Sequence, residues 1–552
     1  VVSKFVSAIH KKYTSVTEAA LVISIFTFLA QLLGVLRDRL FSHYLGPSAN
    51  LDIYLTAFRV PDFLYIIFST LISATILIPI LSKNDENKYN TVNSIFSVFL
   101  FLILFLSLLF FIFMPFIARF IAPGFGPENT EKLIFLSRLM LVSPILLGVS
   151  NFIGSVNQYN KKFFSYAISP VLYNLGIIFG IIFFYNSLGL FGLGLGVILG
   201  GVFHLITQAI SYFSSDYSLK VIKVKDISLV KDILKISIPR TITLSITNLT
   251  IIILISLVSF SNPGSISLMT FALSIAFVPF SLVGTPFTTA SFPYIISLIK
   301  NKDESVNSVI ENTLEKIIFW TIALVFLFII FRFYIVRVIL GTNLFSWSDT
   351  LITSALVFVF SISVVFQSIN QFFIRIYYAN NNTKKPLLIS FLGFITNLVL
   401  LLSVFLFIKN VNIMFFDKVF HLNDIHDIKI ILIAFTYSLS ALATSFLFVY
   451  FYVKDFKHNI YNFIFKNMFM SISHSIVLVL LSKFFLFLFK DIASSKTLLG
   501  ILIQTSFAGI SAIIIWFIYL LLIKNSHTYF ITDKIKSIFS SNKFILEETQ
   551  DM

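Results

Sequence analysis

Apolar residues run along this chain in long stretches separated by short polar connections. An α-helix needs about twenty such residues to cross a bilayer. Stretches of that kind fall at 16–44, 53–82, 91–121, 132–158, 164–186, 189–215 and 229–260. They continue at 265–299, 312–338, 349–378, 386–408, 429–453, 463–488 and 497–523. The pattern predicts an all-α polytopic membrane protein of about fourteen transmembrane helices.

The connections predict its orientation. One alternating set carries Lys4, Lys11 and Lys12; Lys83 and Lys88; Lys161 and Lys162; Lys220, Lys223 and Lys225. The same set continues with Lys300 and Lys302, Lys384 and Lys385, Lys454 and Lys457, then Lys524, Lys534, Lys536 and Lys543 in the tail. The opposite set, such as GPSAN at 46–50, PGFGPEN at 123–129 and SNPGS at 261–265, is nearly bare. Lysine and arginine accumulate in cytoplasmic loops, so both termini are expected in the cytoplasm. The longest connections are 409–427 outside and 214–228 inside, too short for an extramembrane catalytic domain. Residues 1–15 place Val2, Phe5, Val6 and Ile9 on one face and predict an interfacial helix. The tail does the same with Ile531, Ile535, Ile538 and Phe539.

A weak internal repeat suggests how the helices group. AFRVPDF…ISATILIPILSKNDE, ending at Glu86, is echoed by IAFVPFS…FTTASFPYIISLIKNKDE, ending at Glu304. The two units lie six spans apart, an even number, which gives parallel lobes related about the membrane normal. The expected organisation is an N-lobe of helices at 16–215, a cytoplasmic linker at 216–228 and a C-lobe at 229–455. An extra helix pair at 463–523 and a cytoplasmic tail at 524–552 follow. Transporters built from two such bundles bind substrate between them.

Composition narrows the chemistry. Of 552 residues, 57% are hydrophobic and 12% charged, about half the charged share of a soluble protein. The net charge of +15 sits in short loops between spans, which reads as topology and not as a nucleic-acid surface. Cysteine is absent, which excludes disulfides, thiolate metal sites and cysteine nucleophiles. The 68 phenylalanines read as filling for lipid-facing positions. HLNDIHD, with His421, Asp424, His426 and Asp427, has ligand-type residues but no helical spacing to fix them, so no metal site is assigned. There is no nucleophile–base pair, phosphate loop or zinc spacing.

One stretch breaks the apolar rule. Gly34–Asp62, GVLRDRLFSHYLGPSANLDIYLTAFRVPD, joins the first two spans through Gly46-Pro47 and carries Arg37, Asp38, Arg39, Asp52, Arg59 and Asp62. Ionisable side chains inside a membrane are costly and mark functional sites by default. Arg37 and Arg59 each lie eleven positions from Ser48, and so at about the same depth at ~1.5 Å per residue. Two guanidiniums at one depth repel unless an anion lies between them. Asp38 or Asp62 could serve, and so could a ligand phosphate held by the planar arginine fork. A structural alternative pairs Arg37 with Asp62 and Asp38 with Arg59. Elsewhere Arg138, Arg240, Arg332, Arg337 and Arg375 occur singly, most of them near helix ends where long side chains snorkel. Asn174, Asn248 and Asn397 are expected to bond between helices.

The residues LGVLRDRLF…LG…LDIYLTAFRVPDFL closely resemble the signature of the MurJ (MviN) lipid II flippases, within the multidrug/oligosaccharidyl-lipid/polysaccharide exporter superfamily. APGF at 122–125, NQYNKKFFSYAISPVLYN at 157–174 and YYANNNTKKP at 377–386 extend the likeness. The resemblance implies two six-helix lobes plus two helices lining a lipid-accessible groove, in a bacterial cytoplasmic membrane. It implies a transporter, not an enzyme: a flippase that moves a polyprenyl-diphosphate-linked peptidoglycan precursor to the outer leaflet by alternating access. Such proteins need no cofactor and draw on a coupling cation or the membrane potential.

Carried onto this chain, the resemblance makes Arg37 and Arg59 diphosphate ligands, with Arg39 as an auxiliary, and Asp38, Asp52 and Asp62 orienting or gating groups. Gln31, Tyr65, Thr70 and Ser274 stand where the family pattern has charged side chains. Alternatives of the same fold are a flippase for another polyprenyl-linked glycan and a drug/cation antiporter. A membrane-embedded glycosyltransferase is disfavoured by the short 409–427 loop.

Overall fold

The computed structural model describes residues 11–13, 16–71, 88–213, 220–222, 227–407, 428–492 and 497–525. The predicted N-terminal interfacial helix, the 409–427 loop with its histidines and the tail helix lie almost wholly outside these residues.

The described chain is helical throughout. Its elements are α1 (Val16–Tyr44), α2 (Ala49–Leu71), α3 (Lys88–Ile121), α4 (Pro127–Met140), α5 (Val142–Tyr159), α6 (Phe163–Phe179), α7 (Leu190–Phe213) and α8 (Ile227–Val258). Then follow α9 (Ser265–Ala276), α10 (Thr285–Asn301), α11 (Val306–Leu340), α12 (Trp347–Ala379), α13 (Lys384–Phe407), α14 (Ile428–Phe456), α15 (Tyr461–Leu488) and α16 (Leu498–Leu522). Two widened turns, Gly180–Phe184 after α6 and Phe280–Gly284 before α10, carry an extra backbone atom set per turn and let those spans bend.

Among the described residues, thirteen helical segments are long and apolar enough to cross a membrane. Helix α2, 23 residues long, falls outside that set because Asp52, Arg59 and Asp62 dilute its apolar content. It coincides with the expected span 53–82 over residues 53–71. The span expected at 132–158 is longer than the sequence suggested. It begins at Pro127, which suits the first helical turn because its missing N–H would be unpaired there anyway, and it is broken at Leu141 just before Ser143 and Pro144.

The chain divides into two compact units. The first holds residues 1–274, 339–359 and 381–444; the second holds 275–338, 360–380 and 445–552.

In the first unit α6 and α7 pack with almost nothing between them. A Cβ on Gly196 would fall 2.7 Å from the Cα of Gly180, and Gly176 is equally tight against Gly200. Small residues let membrane helices approach this closely, where dispersion contacts replace the missing hydrophobic drive. Buried amides reinforce the neighbourhood. Asn157 Nδ2 donates to the Gln208 side chain at 2.9 Å, and Gln208 Nε2 donates to Ser169 Oγ at 3.1 Å. Helix α8 attaches to α2 through Thr70 Oγ1 and Thr241 Oγ1, 2.9 Å apart, and through Ser237 Oγ to the Leu71 carbonyl at 3.1 Å.

The second unit packs α15 and α16 on α11. Phe319, Ala323 and Phe331 meet Leu478, Phe485, Ala508, Ala512, Trp516 and Leu520. The Trp516 ring stacks on Phe319 at 5.9 Å, and its Nε1 donates to the His474 carbonyl at 2.8 Å. An indole placed this way buries its ring and still satisfies its one polar atom.

Candidate functional site: an arginine pair beneath a capped helix

The six ionisable residues of the first hairpin separate into two groups, both within the first unit. Helix geometry dictates the split. Side chains two positions apart point about 200° away from one another at ~100° per residue, so Arg37 and Arg39 cannot share a face.

Arg37 bonds its own neighbour. Its Nε and Nη2 donate to Asp38 Oδ1 at 3.1 and 2.8 Å. The contact at Nη1 reaches Asn174 Oδ1 at 3.5 Å, and Asn174 Nδ2 in turn donates to the Ala30 carbonyl at 3.3 Å. Asn174 therefore fastens α6 to α1 at the level of the guanidinium, an interhelical role of the kind expected for it. The Arg37 side chain stays 27% exposed and that of Asp38 13%, so the pair is set into the protein without being sealed off.

Arg59 projects from α2 and donates through Nη2 to Thr270 Oγ1 at 3.2 Å, while its buried Nε has no partner among the described residues. Asp62, one turn further along α2, lies within Coulombic reach of both Arg59 and Arg37, and the two guanidiniums feel each other. Of the structural alternative, the Asp38–Arg59 pairing is corrected, while Asp62 stays within reach of Arg37 as that alternative had it. Asp38 is close enough to be taken by its sequence neighbour, which leaves Asp62 shared between two cations.

The second group fastens helix ends at the Gly46 turn. Arg39 Nη1 donates to the carbonyl of Ile339 at 3.3 Å, on the last turn of α11, where a cation meets the negative end of the helix dipole. It is not brought to the other two arginines. Ser42 Oγ donates to the Leu340 carbonyl at 2.5 Å, and Thr342 Oγ1 donates back to the Ser42 carbonyl at 2.9 Å. Gly46 has φ +59°, and a Cβ there would sit 2.8 Å from the Leu344 carbonyl oxygen. Only glycine accepts both the left-handed conformation and that approach.

Asp52 completes this layer. It is 3% exposed and caps the start of α9. Its Oδ2 accepts the Gly264 N–H at 2.7 Å, and its Oδ1 accepts the Ser267 N–H at 2.7 Å and the Ser267 hydroxyl. A helix N-terminus offers unpaired N–H groups and a partial positive charge, which is why a buried carboxylate is tolerated there.

Around the arginine pair lie polar residues that the charge pattern alone did not single out. Tyr65 of α2 is hydrogen-bonded to Asn151 of α5, and Tyr173 of α6 to Ser143 of α5. Asn151 and Ser143 were readable in principle as polar positions within an apolar span; Thr270 and the backbone partners were not. Of the other two span asparagines, Asn397 Nδ2 donates to Ser440 Oγ at 3.2 Å between α13 and α14, as expected. Asn248 does not bond between helices. It is half-buried and donates to the Leu244 carbonyl of its own helix at 3.3 Å. Among the described residues no group of three or more histidines and carboxylates could hold a metal ion.

Comparison with known proteins gives one family. Residues 41–507 match the model of "Lipid II flippase MurJ". The chain is 24% identical over 414 residues to the "Probable lipid II flippase MurJ" of Rickettsia prowazekii, covering 73% of this chain and 79% of that protein. It is 26% identical over 390 residues to the "Lipid II flippase MurJ" of Thermosipho africanus, covering 70% and 79%. Among solved structures, "Lipid II flippase MurJ, inward closed conformation" superposes with a TM-score of 0.70 at 22% identity, over 92% of this chain and all of that one. An inward-facing multidrug resistance MATE transporter gives 0.60 at 14% identity, over 80% and 99%.

Proposed function

Since the chain belongs to the lipid II flippase MurJ family, we propose that it carries lipid II from the inner to the outer leaflet of a bacterial cytoplasmic membrane. The observation that supports this most is the arrangement of Arg37 and Arg59 around Asp62. Arg37 is paired with Asp38 and Arg59 faces Asp62, so the group is formally balanced in the resting protein, and its two planar arginine forks suit a diphosphate that takes the place of the carboxylates better than a neutral or cationic cargo.

Arg37 is the better-presented ligand, partly exposed and held from behind by Asp38 and Asn174. Arg59 lies within electrostatic reach of it, steadied through Nη2 by Thr270. When a diphosphate enters, Asp62 and the anion compete for the same two cations. That competition makes release as well as capture accessible, which a carrier needs.

The layer at the Gly46 turn supplies the gate. By the charge bias this is the outer end, and Asp52 on α9, Ser42 on α11 and Arg39 on Ile339 hold it shut. Opening it exchanges these hydrogen bonds for bonds to water. A charge that crosses the whole membrane potential gains about 2.3 kcal/mol per 100 mV, and a guanidinium carried through part of the field gains that fraction of it, a source of drive that needs no nucleotide.

The test is exposure of lipid II at the outer leaflet in cells depleted of their own flippase and supplied with this protein. The wild type is expected to restore exposure and Arg37→Ala to abolish it. Full restoration by Arg37→Ala would remove the arginine from the mechanism.

A further inference from the structure

A proline inside α3 leaves one carbonyl without its helical partner. In an unbroken helix the Phe111 oxygen would accept the N–H of residue 115, and Pro115 has none. Arg138 of α4, in the same unit, supplies the missing donor. Its Nε donates to the Phe111 carbonyl at 3.0 Å. Its Cζ also lies over the Phe111 ring, 4.8 Å from the centroid.

This seat fixes the guanidinium and leaves its charge unmatched, because a carbonyl and an aromatic ring are both neutral. Among the described residues no carboxylate pairs with Arg138; on the same helix Glu128 is taken by Lys132 at 2.6 Å. The two Nη groups carry four of the five N–H donors and make no hydrogen bond among the described residues.

The surroundings are those of a face turned to lipid. Phe111, Ile112, Phe116, Phe135 and Val142 are all exposed, Phe116 to 74%. Along α4, Arg138 lies six positions past Lys132, the last exposed charge at that end, or about 9 Å at ~1.5 Å per residue. A half-buried cation at that depth stands where acyl chains give way to headgroups, and it is costly there unless an anion meets it.

We propose that Arg138 holds the phosphate of a bilayer phospholipid, its Nη edge taking two phosphate oxygens while Nε stays on the Phe111 carbonyl. A planar fork serves both partners at once, which a lysine ammonium cannot do. The acyl chains lie along the exposed phenylalanines of α3. The bend of α3 at Pro115 is thereby tied to the headgroup layer, at the end that the charge bias places outside. This lipid belongs to the bilayer and not to the cargo, so the assignment is independent of the transport reading.

A fluorophore at this corner tests the site. The chain has no cysteine, so Phe135→Cys, three positions from Arg138 and 57% exposed as phenylalanine, takes a single bimane label. The full-length labelled protein in detergent is titrated with brominated phosphatidylglycerol or with brominated diacylglycerol, which has the same chains and no phosphate. Half-quenching is expected at about tenfold lower phosphatidylglycerol than diacylglycerol. Arg138→Gln should erase that preference and leave diacylglycerol within twofold, which also reports an intact fold.

Pro115→Ala returns an N–H to the Phe111 carbonyl, so Pro115→Ala with Arg138→Gln removes any purely structural need for the arginine. The preference should stay lost in that double variant. A preference that survives Arg138→Gln, or one that returns in the double variant, would overturn the site. So would a parent protein that does not discriminate between the two lipids.

Discussion

Asp52 accepts the backbone N–H of Ser267 at 2.7 Å across 215 positions of sequence, and with the Gly264 N–H it caps the helix that begins at Ser265. The first hairpin is thereby joined to α9 by a buried carboxylate. Hydrogen bonds to a charged group contribute about 1.5–3 kcal/mol each, more than neutral ones.

Asp52→Asn should therefore weaken the closed layer. One amide face would meet N–H donors with an N–H of its own, so a loss of about 2 kcal/mol and a shift of roughly 30-fold toward the open form are expected. The chain has no cysteine, so Thr56→Cys, at a fully buried position one turn below Asp52, gives a clean reporter. Maleimide should label it faster in the Asp52→Asn background. Unchanged labelling would mean that Asp52 does not hold the layer shut.

Gly46→Ala tests the same layer from its backbone. The left-handed conformation costs an alanine about 1–2 kcal/mol, and its methyl would press on the Leu344 carbonyl, which cannot rotate away. The thermal midpoint in detergent should fall by several degrees, and Thr56→Cys should again become more reactive.

Asp62→Asn separates binding from stability. Removing the carboxylate leaves Arg59 without an anion and Arg37 with Asp38 alone. The apo protein should unfold at lower temperature, while affinity for an anionic polyprenyl lipid should rise by roughly tenfold. A parallel fall in both would show that Asp62 positions the arginines more than it competes with the ligand.

Trp516→Ala probes the second unit, where the indole stacks on Phe319 and bonds the His474 carbonyl. A loss of about 3 kcal/mol is expected from the cavity and the orphaned carbonyl. Trp516→Phe should recover most of it, leaving about 1 kcal/mol for the missing N–H. Thermal midpoints of the pair resolve the two contributions.

The spans were legible in the sequence because burial in lipid demands unbroken apolar length, and α1 and α15 begin and end within two residues of their expected bounds. The charged hairpin was legible for the complementary reason, that Arg37 or Asp62 in such a span has no bland explanation. Partner choice was not. Arg39 ends on the Ile339 carbonyl and Asp52 on the Gly264 N–H, and backbone groups leave no mark in a sequence. Arg59 finds Thr270, one hydroxyl among many in an apolar segment. Tyr65 and Tyr173 were hidden among aromatic residues that a membrane protein needs anyway, and only their bonds to Asn151 and Ser143 set them apart.

The contact of Gly180 with Gly196 has a mechanical consequence. With no side chains to act as a cushion, α6 and α7 cannot slide past one another and must swing as one plank. The loosened coil of Gly180–Phe184 is clasped at both its ends, Gly180 on Gly196 and Phe184 on Gly192, so that stretch moves with α7 and any flexure must fall outside it.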